Sequence, residues 1–197
     1  MATYFDRLSE AMVLLSKHPR AILMGQCVEA GGTPMADTFA DVPREKLLEV
    51  PVVEDMQAGM AIGMALGGYL PVCVYLRWNF AILAANQLVN HLDRIPLYSA
   101  GAYFPKVIIR VAVPSTKPFA AGWQHDDDFT EAFAQMFHTI DVVKLLDEAS
   151  IVPAYQRALD SKRSTMLVEY VQLYKETSMA KDNPVPEDSF SGPLPRK

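Results

Sequence analysis

The sequence predicts an α/β fold with a doubly wound, mainly parallel sheet and helices on both faces. Short apolar, β-branched runs alternate with segments of helical periodicity along the chain, as in folds built from strand–helix–strand units. A helix predicted at 55–68 is rich in Gly and Ala, and small residues let a helix approach a buried sheet closely. Half of the 197 residues are hydrophobic, enough for one domain with a substantial core.

The first half of the chain is predicted to alternate between helices and strands. Apolar residues three or four apart predict helices, and short apolar runs bounded by Gly or Pro predict strands. The predicted order is helix 3–18, strand 21–24, loop 26–41, a short helix or turn at 43–49, strand 50–53, helix 55–68, strand 70–76, an aromatic turn at 77–80 and helix 81–92.

The second half repeats the alternation and ends in a different composition. Its predicted elements are loop 98–104, strand 107–113, polar loop 114–126, helix 129–137, strand 140–145, helix 149–159 and strand 165–171. Residues 175–197 are rich in Pro, Ser and charge and lack periodicity. We therefore expect one domain at 1–174, followed by a tail or linker.

Charge and cysteine content exclude several classes of protein. The net charge is −5 and no long basic cluster occurs, which argues against nucleic acid or an anionic membrane as a partner. The amino-terminus does not resemble a signal peptide, and no apolar run reaches the roughly 20 residues of a membrane span. Cys27 and Cys73 lack metal-ligand spacing and are expected to be buried thiols, consistent with a reducing cytoplasm. No metal ligands are predicted.

Glu54 is the leading candidate for chemistry. It lies where a predicted strand hands over to a helix, and open α/β sheets bind ligands beyond the carboxyl ends of their strands. Two interpretations are open from the residues alone. The carboxylate binds a ligand, or it stabilises the helix amino-terminus through the helix dipole.

Several motifs resemble the pyrimidine-binding domain of thiamine diphosphate enzymes. They are, in order, Val52-Val53-Glu54, the Gly/Ala-rich helix, Leu70-Pro71-Val72, Trp78-Asn79-Phe80, Gln87-x-x-Asn90 and Gln124-His125. The order and spacing are most similar to the beta subunit of 2-oxo acid dehydrogenase first components of the pyruvate, branched-chain and acetoin types. The resemblance covers roughly residues 20–175.

The resemblance implies a role for each candidate residue. Glu54 would hydrogen-bond the pyrimidine nitrogen of thiamine and so activate the cofactor, whose chemistry the protein tunes. Phe80 would pack on the pyrimidine ring, with Trp78 nearby, although a core position is the alternative for an aromatic residue. His125 would face the reacting centre, although a surface position beside three aspartates is also open. Gln26 is assigned to the cofactor site.

Three positions depart from the family pattern. Gln26 stands where the family usually has an acid, Asn86 where it has an aspartate, and Asp126 where it has a serine. These differences bear on the substrate, the proton relay and the acyl acceptor. Gln87, Asn90 and His91 share one helix face, and a subunit contact is as plausible for them as a ligand role.

The function implied by the resemblance is that of one subunit of a heteromeric thiamine diphosphate enzyme. It would act on a 2-oxo acid or a related acyl donor by decarboxylation, dehydrogenation or two-carbon transfer. An alpha-type partner would supply the diphosphate and Mg²⁺ site, with a dimer or heterotetramer as the assembly, and the family's carboxyl-terminal domain is absent from the sequence. The alternatives are a non-catalytic assembly or regulatory subunit, or an unrelated nucleotide binder, which the lack of Gly-x-Gly-x-x-Gly disfavours.

Overall fold

A six-stranded parallel sheet forms the centre of the computed structural model, which describes residues 2–115 and 122–175. The strand order is β2-β1-β3-β4-β6-β5, and every neighbouring pair is parallel. The predicted fold class is therefore confirmed. The strands are β1 (Ala21–Gly25), β2 (Leu47–Glu49), β3 (Leu70–Tyr75), β4 (Ile108–Val113), β5 (Asp141–Lys144) and β6 (Thr165–Tyr170).

The helices flank the sheet in two layers. They are α1 (Tyr4–Ser16), α2 (Pro34–Asp37), α3 (Glu54–Leu66), α4 (Trp78–Ala81), α5 (Ile95–Tyr98), α6 (Thr130–Met136) and α7 (Glu148–Asp160). A π-helix spans Gln87–Leu92, and 3₁₀ turns span Arg44–Lys46 and Val171–Leu173.

The direction of each crossover assigns the helices to the two faces. The connections β2–β3, β3–β4 and β4–β5 run one way along the sheet, whereas β1–β2 and β5–β6 run the other way. Because such crossovers are right-handed, α3, α4 and α6 share one face, and α7 lies on the opposite face. Contacts agree, since α1 packs against α7 and the Trp78 and Phe133 rings of α4 and α6 are 5.0 Å apart.

This topology creates a switch point between β1 and β3. The two strands are neighbours, but the chain leaves their carboxyl ends toward opposite faces of the sheet. Such a point opens a crevice, which is the usual ligand site of doubly wound sheets. The two strands also approach closely there, because a Cβ on Gly25 would lie 2.6 Å from the Val74 carbonyl oxygen.

A buried ion pair with several hydrogen bonds links two strands in the middle of the sheet. Arg110 on β4 and Glu169 on β6 are fully buried. Arg110 Nε and Nη2 donate to the two Glu169 oxygens at 2.8 and 3.1 Å. Its Nη1 donates to Thr38 at 2.8 Å, and the Tyr174 hydroxyl also donates to Glu169. Burial alone would lower the pKa of Arg110, but the charge of Glu169 raises it above its usual value.

Four predicted elements were wrong. Helix α2 lies inside the predicted loop 26–41, and the aromatic turn predicted at 77–80 is the one-turn helix α4. Residues 50–53 form no strand, and the strand of this region is β2, inside the stretch predicted as a short helix or turn. Leu47–Glu49 pairs with Leu23–Gly25 of β1 in place of the predicted run. The helix predicted at 81–92 is interrupted between α4 and the π-helix.

The tail predicted at 175–197 falls almost wholly outside the described residues, as do residues 116–121 of the predicted polar loop. Among the described helices, none combines the length and the apolar character that crossing a membrane demands.

Candidate functional site

A cleft opens at the switch point, beyond the carboxyl ends of β1 and β3. Its empty space of about 230 Å³ includes open solvent. The residues that line it come from the ends of β1 and β3, from the segment before α3 and from α3 itself. They are Gln26, Pro51, Val52, Glu54, Gln57, Val74, Tyr75, Leu76 and Phe80.

Glu54 is the only acidic residue among the groups that line the cleft. It is the first residue of α3, and its side chain is 7% exposed. Within the described ranges its carboxylate has no ion pair or side-chain hydrogen bond. The helix amino-terminus favours a negative charge at this position. The Glu54 oxygens are not among the buried atoms that lack a hydrogen-bond partner, so they face the open cleft, where a ligand or a partner chain can reach them.

Gln57 forms the floor of the cleft one turn after Glu54, and it was not among the predicted site residues. It is 2% exposed, and its Nε2 donates to the Val74 carbonyl at 3.0 Å and to the Met24 carbonyl at 3.5 Å. These bonds fix the amide orientation and join the ends of β1 and β3. The available signal was a glutamine three residues after Glu54 in an otherwise small and apolar helix.

Tyr75 completes the floor as a neutral phenol. Burial raises the pKa of Tyr75 well above its usual value, and neighbouring Cys73 raises it further. Its hydroxyl lies 3.4 Å from the Glu54 carbonyl oxygen and 3.4 Å from Cys73 Sγ. Tyr75 therefore supports the first turn of α3 from below.

The loop after β1 brings Gln26 to the cleft. Gln26 lines it as predicted, and the next residue, Cys27, has a φ of 61°. That conformation is strained for a residue with a side chain. Glu49 at the end of β2 holds it by accepting hydrogen bonds from the N–H groups of Cys27 at 2.5 Å and Glu29 at 2.8 Å.

Phe80 forms one wall of the cleft, and His125 stacks edge-on against it. Their ring centroids are 5.7 Å apart, although the residues are 45 positions apart in the sequence. The structure thus brings together four of the five predicted site residues, namely Gln26, Glu54, Phe80 and His125, with His125 beside the residues that line the cleft.

Trp78 is a correction to the predicted site. Its side chain is completely buried, its ring packs on Phe133, and its indole N–H donates to Thr130 Oγ1 at 3.2 Å. A ring sealed on all sides has no surface for a cofactor. Trp78 is therefore a core residue that anchors α4 to α6.

Gln87, Asn90 and His91 do not line the cleft. They lie on the π-helix, where Asn90 Nδ2 donates to Asn86 Oδ1 and Asn86 Nδ2 donates to Gln87 Oε1, each at 2.9 Å. Asn90 and His91 are exposed. Of the two interpretations left open for this group, the geometry favours a surface or subunit contact.

Solved structures define the class of this domain. The chain is similar to a split-gene transketolase described as an inactive beta4 tetramer, with a TM-score of 0.65 and 17% identity over 85% of this chain and 51% of that one. It is also similar to transketolase from Campylobacter jejuni, with a TM-score of 0.66 and 16% identity over 84% and 25%. The fold is thus that of a transketolase-like α/β domain.

The sequence is similar to those of beta subunits of pyruvate dehydrogenase E1. The chain is 26% identical over 190 residues to a pyruvate dehydrogenase E1 component subunit beta of Staurastrum punctulatum. It is 27% identical over 180 residues to subunit beta-3 of Arabidopsis thaliana chloroplasts. It spans 55% and 42% of these relatives' lengths and 91% and 86% of its own. No protein-family model matches. The predicted resemblance to an E1 beta pyrimidine-binding domain is confirmed.

Proposed function

We propose that this chain is the pyrimidine-binding subunit of a heteromeric thiamine diphosphate-dependent enzyme that acts on a 2-oxo acid or a related acyl donor. The observation that carries the proposal is the carboxylate of Glu54, which is nearly buried in the switch-point cleft and has no partner among the described residues. The named relatives, which are subunits of pyruvate dehydrogenase E1, support the reaction class.

The side chains of the cleft suit the pyrimidine half of the cofactor chemically. The side chains of Val52, Leu76 and Phe80 offer apolar walls for a flat ring, and Glu54 offers an acceptor at its edge. Lys, Arg and His are missing from the described residues that line the cleft, so a diphosphate would find no counter-charge in it. The diphosphate and Mg²⁺, which prefers oxygen ligands, would be held by an alpha-type partner.

Each residue has a defined task in this arrangement. Glu54 would share a proton with the pyrimidine nitrogen, and Gln57 and Tyr75 would hold the start of α3 so that the carboxylate keeps its place. Phe80 would fix the plane of the ring. The bound cofactor itself supplies the carbanion chemistry that cleaves the bond next to a carbonyl group.

The surface around Glu54 supports assembly with a partner chain. Val52 is 61% exposed, and Met56 and Met60 on α3 are also exposed. A Cβ on Gly59 or Gly63 would meet nothing within 4 Å, so the outer face of α3 is flat and apolar. Exposed apolar surface of this kind marks protein interfaces, and the similar split-gene transketolase is described as an inactive beta4 tetramer.

Glu54→Gln tests the catalytic assignment. The amide cannot exchange a proton with a ring nitrogen at neutral pH, so we expect a loss of about 10²–10⁴-fold in rate. The measurement is hydrogen–deuterium exchange at the thiazolium carbon of thiamine diphosphate, with the partner subunit present. The partner would be sought as the neighbouring gene product that carries Gly-Asp-Gly followed by Asn.

The control is Asp55→Asn, which removes an exposed acid at the next position and should leave the exchange rate unchanged. Equal rates for wild type and Glu54→Gln would remove the catalytic assignment and favour a non-catalytic assembly or regulatory subunit.

Met60→Glu tests the assembly face. We expect the purified chain to self-associate, because paired copies would cover the apolar face of α3, and a charge there should produce a monomer in sedimentation velocity. Leu146→Glu, at an exposed site between β5 and α7, is the control and should keep the wild-type state. A wild-type chain that sediments as a monomer at micromolar concentration would contradict the expectation.

A further inference from the structure

The aromatic turn at 78–80 is joined to the loop at 125–130 at three successive positions. Trp78 donates its indole N–H to Thr130 Oγ1 at 3.2 Å. Asn79 Nδ2 donates to Asp127 Oδ2 at 3.1 Å. The Phe80 ring meets the His125 ring edge-on. The loop that carries His125 is therefore docked on the turn that carries Phe80, and Asn79–Asp127 is the bond closest to the histidine.

The loop is also closed on itself before His125. The Gly122 N–H donates to Asp126 Oδ2 at 2.9 Å, and the His125 N–H donates to the Gly122 carbonyl at 2.8 Å. Gly122 has a φ of 88°, which only glycine adopts without strain. The backbone on both sides of the imidazole is thereby fixed.

The two ring nitrogens of His125 have different surroundings. Among the described residues, Nδ1 is buried and has no hydrogen-bond partner, whereas Nε2 is not among the buried unpartnered atoms. The residue as a whole remains partly exposed, so the accessible nitrogen is Nε2. Buried N–H groups without an acceptor are rarer than buried acceptors without a donor. In the neutral ring the proton is therefore better placed on Nε2.

We propose that Asn79 and Asp127 are positioning residues that hold His125 in its Nε2–H tautomer, so that it presents a hydrogen-bond donor at the rim of the cleft. An acceptor oxygen fits this donor, such as the carboxylate or carbonyl oxygen of a 2-oxo acid. This substrate assignment rests on the proposed function, whereas the tautomer is a property of the chain alone.

The tautomer is measured on the purified chain by two-bond ¹H–¹⁵N correlation spectra of ¹⁵N-histidine-labelled protein at pH 8, with His125→Gln to assign the signal. We expect a single Nε2–H pattern for His125, unlike exposed His91, whose two tautomers should average. A Nδ1–H pattern or averaged tautomers at His125 would overturn the proposal.

A matched pair of variants tests the positioning role. Asp127→Asn keeps an oxygen that accepts from Asn79 and should keep the wild-type pattern. Asp127→Ala and Asn79→Ala remove the bond, loosen the loop that carries His125 and should give averaged tautomers. Urea unfolding of each variant shows that the domain is folded under the NMR conditions. An unchanged His125 pattern in both folded alanine variants would overturn the role.

The complex with the partner subunit separates this inference from the proposed function. Asp127→Ala should leave thiazolium exchange at the wild-type rate, because Glu54 is untouched, and should lower kcat/KM for pyruvate by about 10–100-fold through a misplaced donor. Asp127→Asn should stay near wild type. Normal exchange with unchanged kcat/KM in Asp127→Ala overturns the substrate role of His125. Loss of the Glu54 effect on exchange overturns the proposed function instead.

Discussion

The Arg110–Glu169 pair and the Glu54 cleft are two buried polar regions of one sheet, and they differ in hydrogen bonding. Glu169 accepts bonds from Arg110 and Tyr174, and Arg110 also reaches Thr38. Glu54 has no such partner within the described ranges. Burial of polar groups alone therefore does not mark the site in this protein. The carboxylate of Glu54, which lines the open cleft, marks it.

Among the described residues, most of the buried side-chain polar atoms that lack a hydrogen-bond partner lie beside the cleft. Five occur in the described parts of the chain, and three of them, Asn79 Oδ1, His125 Nδ1 and Asp126 Oδ1, belong to the turn and loop beside the cleft. Asp93 Oδ2 and the Tyr155 hydroxyl lie elsewhere. An unpaired buried group costs about 1–3 kcal/mol, and it is tolerated where a ligand or partner completes it.

Glu169→Leu should have the largest effect on stability. It leaves the Arg110 guanidinium buried without its counter-charge, which typically costs about 3–5 kcal/mol. The measurement is the free energy of unfolding from urea titration followed by circular dichroism. Replacing both partners, as in Arg110→Met with Glu169→Leu, should recover most of the loss. A single variant as stable as wild type would show that the pair contributes nothing.

Gly25→Ala should have the next largest effect and acts at the boundary of the cleft. The new methyl group would meet the Val74 carbonyl oxygen, so β1 and β3 must separate, at a cost of about 1–3 kcal/mol typical of overpacking. Gly63→Ala, on the open face of α3, is the control and should not destabilise the fold. Equal melting temperatures for the Gly25→Ala protein and wild type would contradict the close approach of the strands.

The two cysteines report access to the layer beneath the cleft. Burial raises the pKa of Cys73 from 9.0 to about 11, so below pH 9 the folded protein holds about a hundredfold less Cys73 thiolate than an unshifted thiol would. Cys27 is partly exposed. At pH 8 a thiol reagent should modify Cys27 first and Cys73 only after urea is added, as judged by mass spectrometry. Equal labelling rates in the folded chain would show that the floor of the cleft opens readily.

The raised pKa of Cys73 also predicts the direction in which the stability of the fold changes at alkaline pH. Its folded pKa is above the unfolded value, so its contribution to stability is fully present below about pH 9. That contribution is lost as the pH rises toward 11. In Cys73→Ala, unfolding free energies across this range should fall less steeply than in wild type.

Glu54→Gln should have the smallest effect on stability. The carboxylate has no protein partner to lose, so the change should stay within about 0.5 kcal/mol or stabilise the fold, because a nearly buried ionised acid costs free energy. Urea titration of Glu54→Gln and Glu169→Leu compares directly how much each buried acid contributes to stability. A loss comparable with that of Glu169→Leu would mean that Glu54 is a structural acid.

Much of the fold could be predicted from the sequence because helices and strands depend on local patterns of apolar residues. Buried strands of a parallel sheet are continuous apolar runs, and β3, β4 and β6 were found within one or two residues of their bounds. The strand near Glu54 was misplaced because the apolar run at 50–53 resembles a strand, and a short apolar run does not by itself show which residues pair with β1. The π-helix left no periodic signal.

Site residues were predictable only where they lie next to the end of a strand in the sequence. Gln26 and Glu54 follow strand ends or begin helices, and the switch point places such residues together. The contact between Phe80 and His125 joins distant segments, which periodicity does not report. Trp78 was misassigned because neighbours in a turn do not face the same way, and Gln57 was missed because its bonds depend on the packing of α3 against β1 and β3.

The aromatic turn after β3 has a consequence for sequence comparison. Its three residues contact three different parts of the molecule. Trp78 packs in the core, Asn79 hydrogen-bonds a distant loop and Phe80 lines the cleft. Inserting or deleting a single residue would move all three side chains out of position at the same time. Among relatives, the length of this turn should therefore vary less than the identity of its residues, and an alignment gap there would indicate that the ligand has changed.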